Sequence, residues 1–126
     1  MGLTMATIKS FTDIEQSKKL AEILPLESAD MYYDRYGTPS FIDEYVTHES
    51  IKSNKYHDII SCWSLAALLG VLLAECECMA LEHINYGNNH KEYFMHYFGG
   101  ENTENYDNPI DACVAMIIKL HELNLL

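Results

Sequence analysis

Apolar positions recur at helical spacing near both ends of the chain, run almost unbroken through its centre, and alternate with polar ones soon afterwards. Near the start, "DIEQSKKLAEIL" places Ile14, Leu20, Ala21, Ile23 and Leu24 on one half of a helical wheel. Glu15, Lys18, Lys19 and Glu22 take the other half, a solvated face in which opposite charges pair at i,i+3 and i,i+4. Gln16 and Ser17 are the polar exceptions. Thr12 with Glu15 predicts a capping box at the helix start, and Pro25 predicts its stop.

Residues 26–58 follow no period, but "MYYDRY" and "FIDEYV" carry strand-favouring aromatics around Gly37-Thr38-Pro39, which predicts a short irregular hairpin. "SCWSLAALLGVLL" is apolar around the whole wheel and predicts the central buried helix. Ala66 and Gly70, four apart on that helix, leave a groove for another backbone to come close. From Glu75 the period shortens to two. "ECECMALEHI" sets Cys76, Cys78, Ala80, Glu82 and Ile84 against Glu75, Glu77, Met79, Leu81 and His83, and either face is a candidate for burial. "NYGNNH" supplies a turn and "KEYFMHYF" a second strand, so a second hairpin is expected, with residues 99–105 as loop.

The last helix starts at Asn108, with Pro109 in the first position and Asp111 in the first turn. Steps of about 100° gather Ile110, Cys113, Val114, Met116, Ile117, Ile118 and Leu120 on one arc, with His121 inside it. Asp111, Ala112, Ala115, Lys119 and Glu122 fall opposite. The expected fold is α+β, with three helices and two antiparallel hairpins in the order α-ββ-α-ββ-α, helices packed on sheet. One domain over 1–126 is expected, since no linker or low-complexity tract divides it. Residues 1–8 are expected to be disordered or dispensable, with Met5 a candidate native start.

Composition narrows the function. The 126 residues are 48% hydrophobic, enough for a core, and 19 acidic residues against 8 basic ones leave a net charge of -11. After residue 60 the only cations are Lys91 and Lys119. Nucleic acid and anionic membrane surfaces, which need clustered Lys and Arg, are therefore unexpected partners. "MGLTMATIKS" lacks the features of a signal peptide, Ala6 spoils a myristoylation motif, and the apolar run 59–74 is short for a membrane span, so a cytoplasmic protein is expected. Cys62, Cys76, Cys78 and Cys113 lack zinc-site spacing and are expected to be free buried thiols.

Three stretches, "IKSFTDIEQSKKLAEILPLESADM", "CWSLAALLGVL" and "YDNPIDACVAMIIKLHELNLL", resemble a family of short uncharacterised proteins of gut Bacteroidetes and their phages. More loosely, the helix, hairpin and Asp107-Asn108-Pro109 plus Ala112 helix start are similar to a phage alpha-beta-alpha sandwich domain. The resemblance implies a fold and a mobile-element setting, and it carries no catalytic residues.

The chemistry-bearing side chains form no convergent set. Gly99-Gly100 leads into acidic sequence, unsuited to phosphate, and the cysteines lack a polarising base. His83 and His96, with Glu82 and Glu92, would approach as a two-histidine metal site if Leu81 paired with His96, but a third ligand is missing. His121 is expected to be structural, its ring covering the core while one nitrogen reaches a carbonyl. Tyr32, Tyr33, Tyr36 and Tyr45 are the candidate binding residues, because clustered tyrosines offer large contact area at low entropy cost. No catalytic residue, metal or cofactor is assigned, and oligomeric state stays open. The expected function is that of a non-catalytic protein-binding or adaptor protein of a phage or mobile element. The alternative is a small ligand-binding domain or enzyme using tyrosine and histidine side chains.

Overall fold

The computed structural model describes residues 9–53, 55, 58–75, 79–97 and 101–126. Among them are four helices, α1 (Ile14–Ala21), α2 (His48–Lys52), α3 (Leu65–Glu75) and α4 (Pro109–Glu122). Six strands, β1 (Met31–Tyr33), β2 (Pro39–Phe41), β3 (Ile60–Cys62), β4 (Met79–Gly87), β5 (His90–Tyr97) and β6 (Glu101–Asn102), form two antiparallel sheets ordered β2-β1-β3 and β4-β5-β6. The chain is thus an α+β protein. The expected dispensable segment 1–8, together with Cys76, Cys78 and Gly99-Gly100, lies outside the described residues.

Helix α1 starts one residue later than the capping box read from Thr12 and Glu15. Asp13 is the cap: its Oδ1 accepts from Gln16 N at 2.7 Å, and Gln16 Oε1 accepts from Asp13 N at 3.1 Å. Thr12 is fully buried instead. Its Oγ1 accepts from Trp63 N at 3.1 Å and lies 2.7 Å from Ser17 Oγ, while Thr12 N donates to Trp63 O. Ser17 therefore faces inward beside Leu20 and Leu24, whereas Ile14 and Ala21, expected on the buried half, are exposed. The tie across to Trp63 is a tertiary contact, invisible to a local motif.

The first hairpin forms around Gly37, whose φ of +80° suits a residue without Cβ. Asp34 Oδ1 accepts from Tyr36 N and Thr38 N and holds the turn. Its strands are short because "FIDEYV" leaves the sheet at Ile42, where Asp43 Oδ1 accepts from Tyr45 N and Val46 N. Helix α2, capped by Thr47 and Ser50, was not anticipated. Ser61 and Cys62, within the stretch expected as helix, instead belong to β3 and pair with β1, Met31 opposite Cys62. Helix α3 begins only after Ser64, whose Oγ accepts from Ala67 N.

The second hairpin closes on a tighter turn than expected, in which Asn88 and Asn89 both have positive φ, 52° and 62°, while Glu75, expected in its first strand, ends α3 instead. Leu81 pairs with Met95, and the buried face is the one carrying Met79, Leu81 and Met95. Residues 101–102, expected as loop, pair with Tyr97 and His96 as β6. Tyr93 and Tyr106 exchange backbone hydrogen bonds beyond it.

The central element is α4, not α3. Pro109, Ile110, Ala112, Cys113, Val114, Met116, Ile117 and Leu120 are buried on it, including the Ala112 placed on the polar side by the wheel. Among the described side chains of α3 only Leu68 and Leu72 are fully buried, while Ala66, Gly70, Leu73 and Ala74 are exposed. An apolar circumference does not fix which helix is enclosed; α4 wins because it is packed by α1, α3, β4 and β5 together. His121 shares its angle with Ile110 and Val114 yet is exposed, because it lies in the last turn, beyond the packed neighbours. Its Nδ1 lies 3.4 Å from the oxygen of Leu126, beyond the helix, in place of the helix's own free carbonyls expected as its partners, and the ring does not cover the core.

Asp111 ties the starts of α1 and α4 together. It accepts from Lys9 Nζ and Gln16 Nε2, both at 2.8 Å, and from Asn108 Nδ2 at 2.8 Å. Partial burial would raise its carboxyl, but Lys9, then Asn108 and Gln16, overcome that and hold it below the usual carboxylate range. The folded state therefore binds this proton more weakly than the unfolded chain does. Its contribution to stability is present above the ordinary carboxylate pKa of about 3.9 and is lost as pH falls through the lower folded value. Asp111→Asn is expected to lower the melting temperature at pH 7 and to cost progressively less below about pH 4 in thermal scans. An unchanged deficit at pH 2.5 would contradict the charge argument.

Candidate functional site: an open apolar groove beside α3

Because α3 is apolar on every side and packs on only one, it presents a greasy face outward. Asp30 sets its position: Oδ1 accepts from Ser64 N at 2.9 Å and Oδ2 from Ser64 Oγ at 2.5 Å, placing negative charge at the positive end of the helix. Opposite stand the end of α1 and the 3₁₀ turn Leu26–Ser28. Ile42, His48 and Leu126 also line it. The result is an open groove of about 910 Å³, with Ala66, Gly70 and Ala74 along its α3 side. A Cβ built on Gly70 would meet nothing within 4 Å, so space, not a neighbour, lies above it. Leu73, 59% exposed, extends the apolar surface.

The polar atoms around this groove are committed to the fold. His48 Nε2 donates to the Ala29 carbonyl at 2.7 Å. Ser28 Oγ donates to Pro25 O at 2.6 Å and accepts from Trp63 Nε1 at 2.9 Å. Glu27 is ion-paired with Lys52. The groove can therefore offer apolar area and acidic charge, but no nucleophile with a base beside it.

The four candidate tyrosines do not form one surface. Tyr33 is buried and donates to the Thr12 carbonyl oxygen at 2.6 Å; burial, with Cys62 beside it, pushes its phenol up to about 12. Tyr36 and Tyr45 are 78% and 74% exposed. Tyr32 and Tyr36 line a notch of about 450 Å³ with Arg35 and Lys55, and Arg35 lies 4.8 Å over the Tyr36 ring. Tyr45 is not among the residues lining that notch. Alternation puts Tyr33 and Tyr32 on opposite faces of β1, which the cluster reading did not use.

The histidines of the second hairpin are separated as well. His96 pairs with Ala80, one residue from the register that would have joined it to His83, so the two rings fall on opposite faces. His96 Nδ1 lies 3.5 Å from Glu82 Oε2, and His83 leans toward Tyr93. Among the described residues no group of three or more His, Cys, Asp or Glu is placed to hold a metal ion.

Cys62 and Cys113 are free and fully buried. Burial raises both thiols, that of Cys113 to about 12, and so disfavours the reactive thiolate. Both are expected to resist iodoacetamide in the native protein at pH 8 and to react once urea unfolds it, read by peptide mass spectrometry. Rapid native labelling of either would contradict this.

These features define an α+β protein with an exposed apolar groove. No family model matches the chain, and no curated protein or solved structure matches it. Among the described residues no helix is long and apolar enough to cross a membrane.

Proposed function

We propose that this is a non-catalytic protein-binding or adaptor protein that receives part of a partner in the α3 groove. The observation that supports it is the groove itself: a broad apolar trough whose bordering polar atoms already serve the fold. A surface of this kind gains affinity from shape and apolar contact, as partner-binding grooves do. The acidic charge and the exposed Tyr36 and Tyr45 fit the same reading. The phage or mobile-element setting rests on the resemblance of the three quoted stretches.

A bait comparison tests it. The wild-type chain is expected to capture a protein from host lysate that Gly70→Leu fails to capture, with the partner identified by mass spectrometry and rebinding confirmed with purified material. The second reading, a ligand-binding domain or enzyme, is favoured by the notch holding Tyr32, Tyr36 and Arg35. A small-molecule thermal shift abolished by Tyr36→Ala, with no captured protein, would replace the first reading with this one.

A further inference from the structure

We infer that the occupant of the α3 groove is a cationic amphipathic helix, an inference that rests on the protein-binding reading and names the chemistry of the partner. The first argument concerns the partner's backbone. Each non-proline residue of an extended peptide brings one donor and one acceptor that need partners. The side-chain groups at the groove already serve the fold, which leaves no ladder of donors and acceptors for an extended strand: His48 Nε2, Ser28 Oγ and the Asp30 carboxylate are bonded to Ala29, Pro25, Trp63 and Ser64. A helix meets its own backbone needs and asks only for apolar area.

The second argument is shape. Ala66, Gly70 and Ala74 keep relief low along α3, with Gly70 open above its Cα and Leu73 beside them as an exposed ridge. Packing of two helices requires their axes to come within about 8–10 Å, which small contact residues permit. From Ala66 to Ala74 the trough runs about 12 Å, room for an i, i+4, i+7 set of anchors.

Charge selects among helices. The lining residues include Glu27 and Asp30 but neither Lys nor Arg, and the chain as a whole carries -11. Lys52 is paired with Glu27, and Asp30 bonds Ser64, so the selection comes chiefly from the field of a chain carrying -11 and not from a free carboxylate in the groove. An acidic helix, or a second copy of this chain, would meet like charge, whereas lysines or arginines flanking an apolar stripe meet the opposite sign.

Two synthetic helices of about 18 residues, long enough to be helical, separate these points: a Leu/Lys peptide and a Leu/Glu peptide sharing the same apolar stripe. Binding to the full chain is read by calorimetry, with Gly70→Leu as the groove-filled variant. That variant keeps its fold because the space is empty and leucine favours helix, so a raised melting temperature certifies it. The Leu/Lys peptide is expected to bind at least about tenfold tighter than Leu/Glu, to lose about tenfold in Gly70→Leu, and to weaken in 0.5 M salt, on the order of what screened charges give. Equal binding of both peptides, each lost in Gly70→Leu, would overturn the charge selection while leaving the groove as a protein site. Leu/Lys binding indifferent to Gly70→Leu would be attraction to the acidic surface at large and would overturn the inference. So would absence of binding by either peptide, while the lysate comparison reads the protein-binding proposal separately.

Discussion

Trp63→Ala is expected to lower the unfolding free energy by about 3–5 kcal/mol, a large share of the roughly 5–15 kcal/mol that holds a domain of ordinary stability folded. Trp63 is fully buried, the largest side chain that is. It joins three parts of the molecule at once: its backbone N and O both bond to Thr12, its Nε1 bonds to Ser28 in the groove wall, and the next residue caps α3. Truncation removes the apolar area and leaves a cavity where these parts meet. Trp63→Phe keeps most of the area but loses the bond to Ser28, and should cost about 1–2 kcal/mol. Urea unfolding followed by circular dichroism measures both. A loss under 1 kcal/mol for Trp63→Ala would show that the residue is not the keystone that its burial indicates.

Thr12→Val should be the second most damaging change, costing about 2–4 kcal/mol although it preserves shape. The methyl that replaces Oγ1 strips Trp63 N–H of its acceptor and Ser17 Oγ of its partner, both inside the protein. A buried donor or acceptor left unpaired costs about 1–3 kcal/mol. Asp13→Ala, which removes the helix cap at an exposed site, should cost only about 1 kcal/mol. Thr12→Ser retains the hydroxyl and should lie near wild type. If Asp13→Ala proved the worse of the two, Thr12 would be a minor contact and the buried network unimportant.

These two residues show what kind of information a sequence pattern holds. The Thr12 and Glu15 spacing is a valid start signal, yet Asp13 and Gln16 make an equally good one a residue along, and local chemistry does not choose between them. The choice falls to Trp63, 51 residues away, which takes Thr12 for itself. Gln16 and Ser17, the two polar residues out of place on the wheel, have the same kind of explanation. Gln16 bonds Asp111 across 95 residues, and Ser17 closes the Thr12 network.

The groove was half legible. Helical spacing alone puts Ala66 and Gly70 on one face, but the close approach of another backbone expected there does not occur: both are exposed and a Cβ on Gly70 would meet nothing within 4 Å. Nothing in that spacing showed that the face would remain open, because enclosure depends on what packs against it. The tyrosines are divided for a related reason: Tyr33 is buried while Tyr36 and Tyr45 are exposed, because adjacency in sequence is not adjacency on a surface when alternate residues of a strand point opposite ways.

By itself, then, the sequence determined the α+β class, the start of α4 at Asn108 and Pro109, the Gly37 turn and the turn after β4. Each is local, set by periodicity, capping or permitted φ over a few residues. Tertiary structure alone decided the pairing of β3 with β1, the one-residue register that parts His83 from His96, the burial of α4 in place of α3, and the exposure of His121. These depend on which surfaces meet across long separations. There, burial and satisfied hydrogen bonds outweigh local preferences of a few tenths to about 1 kcal/mol per residue.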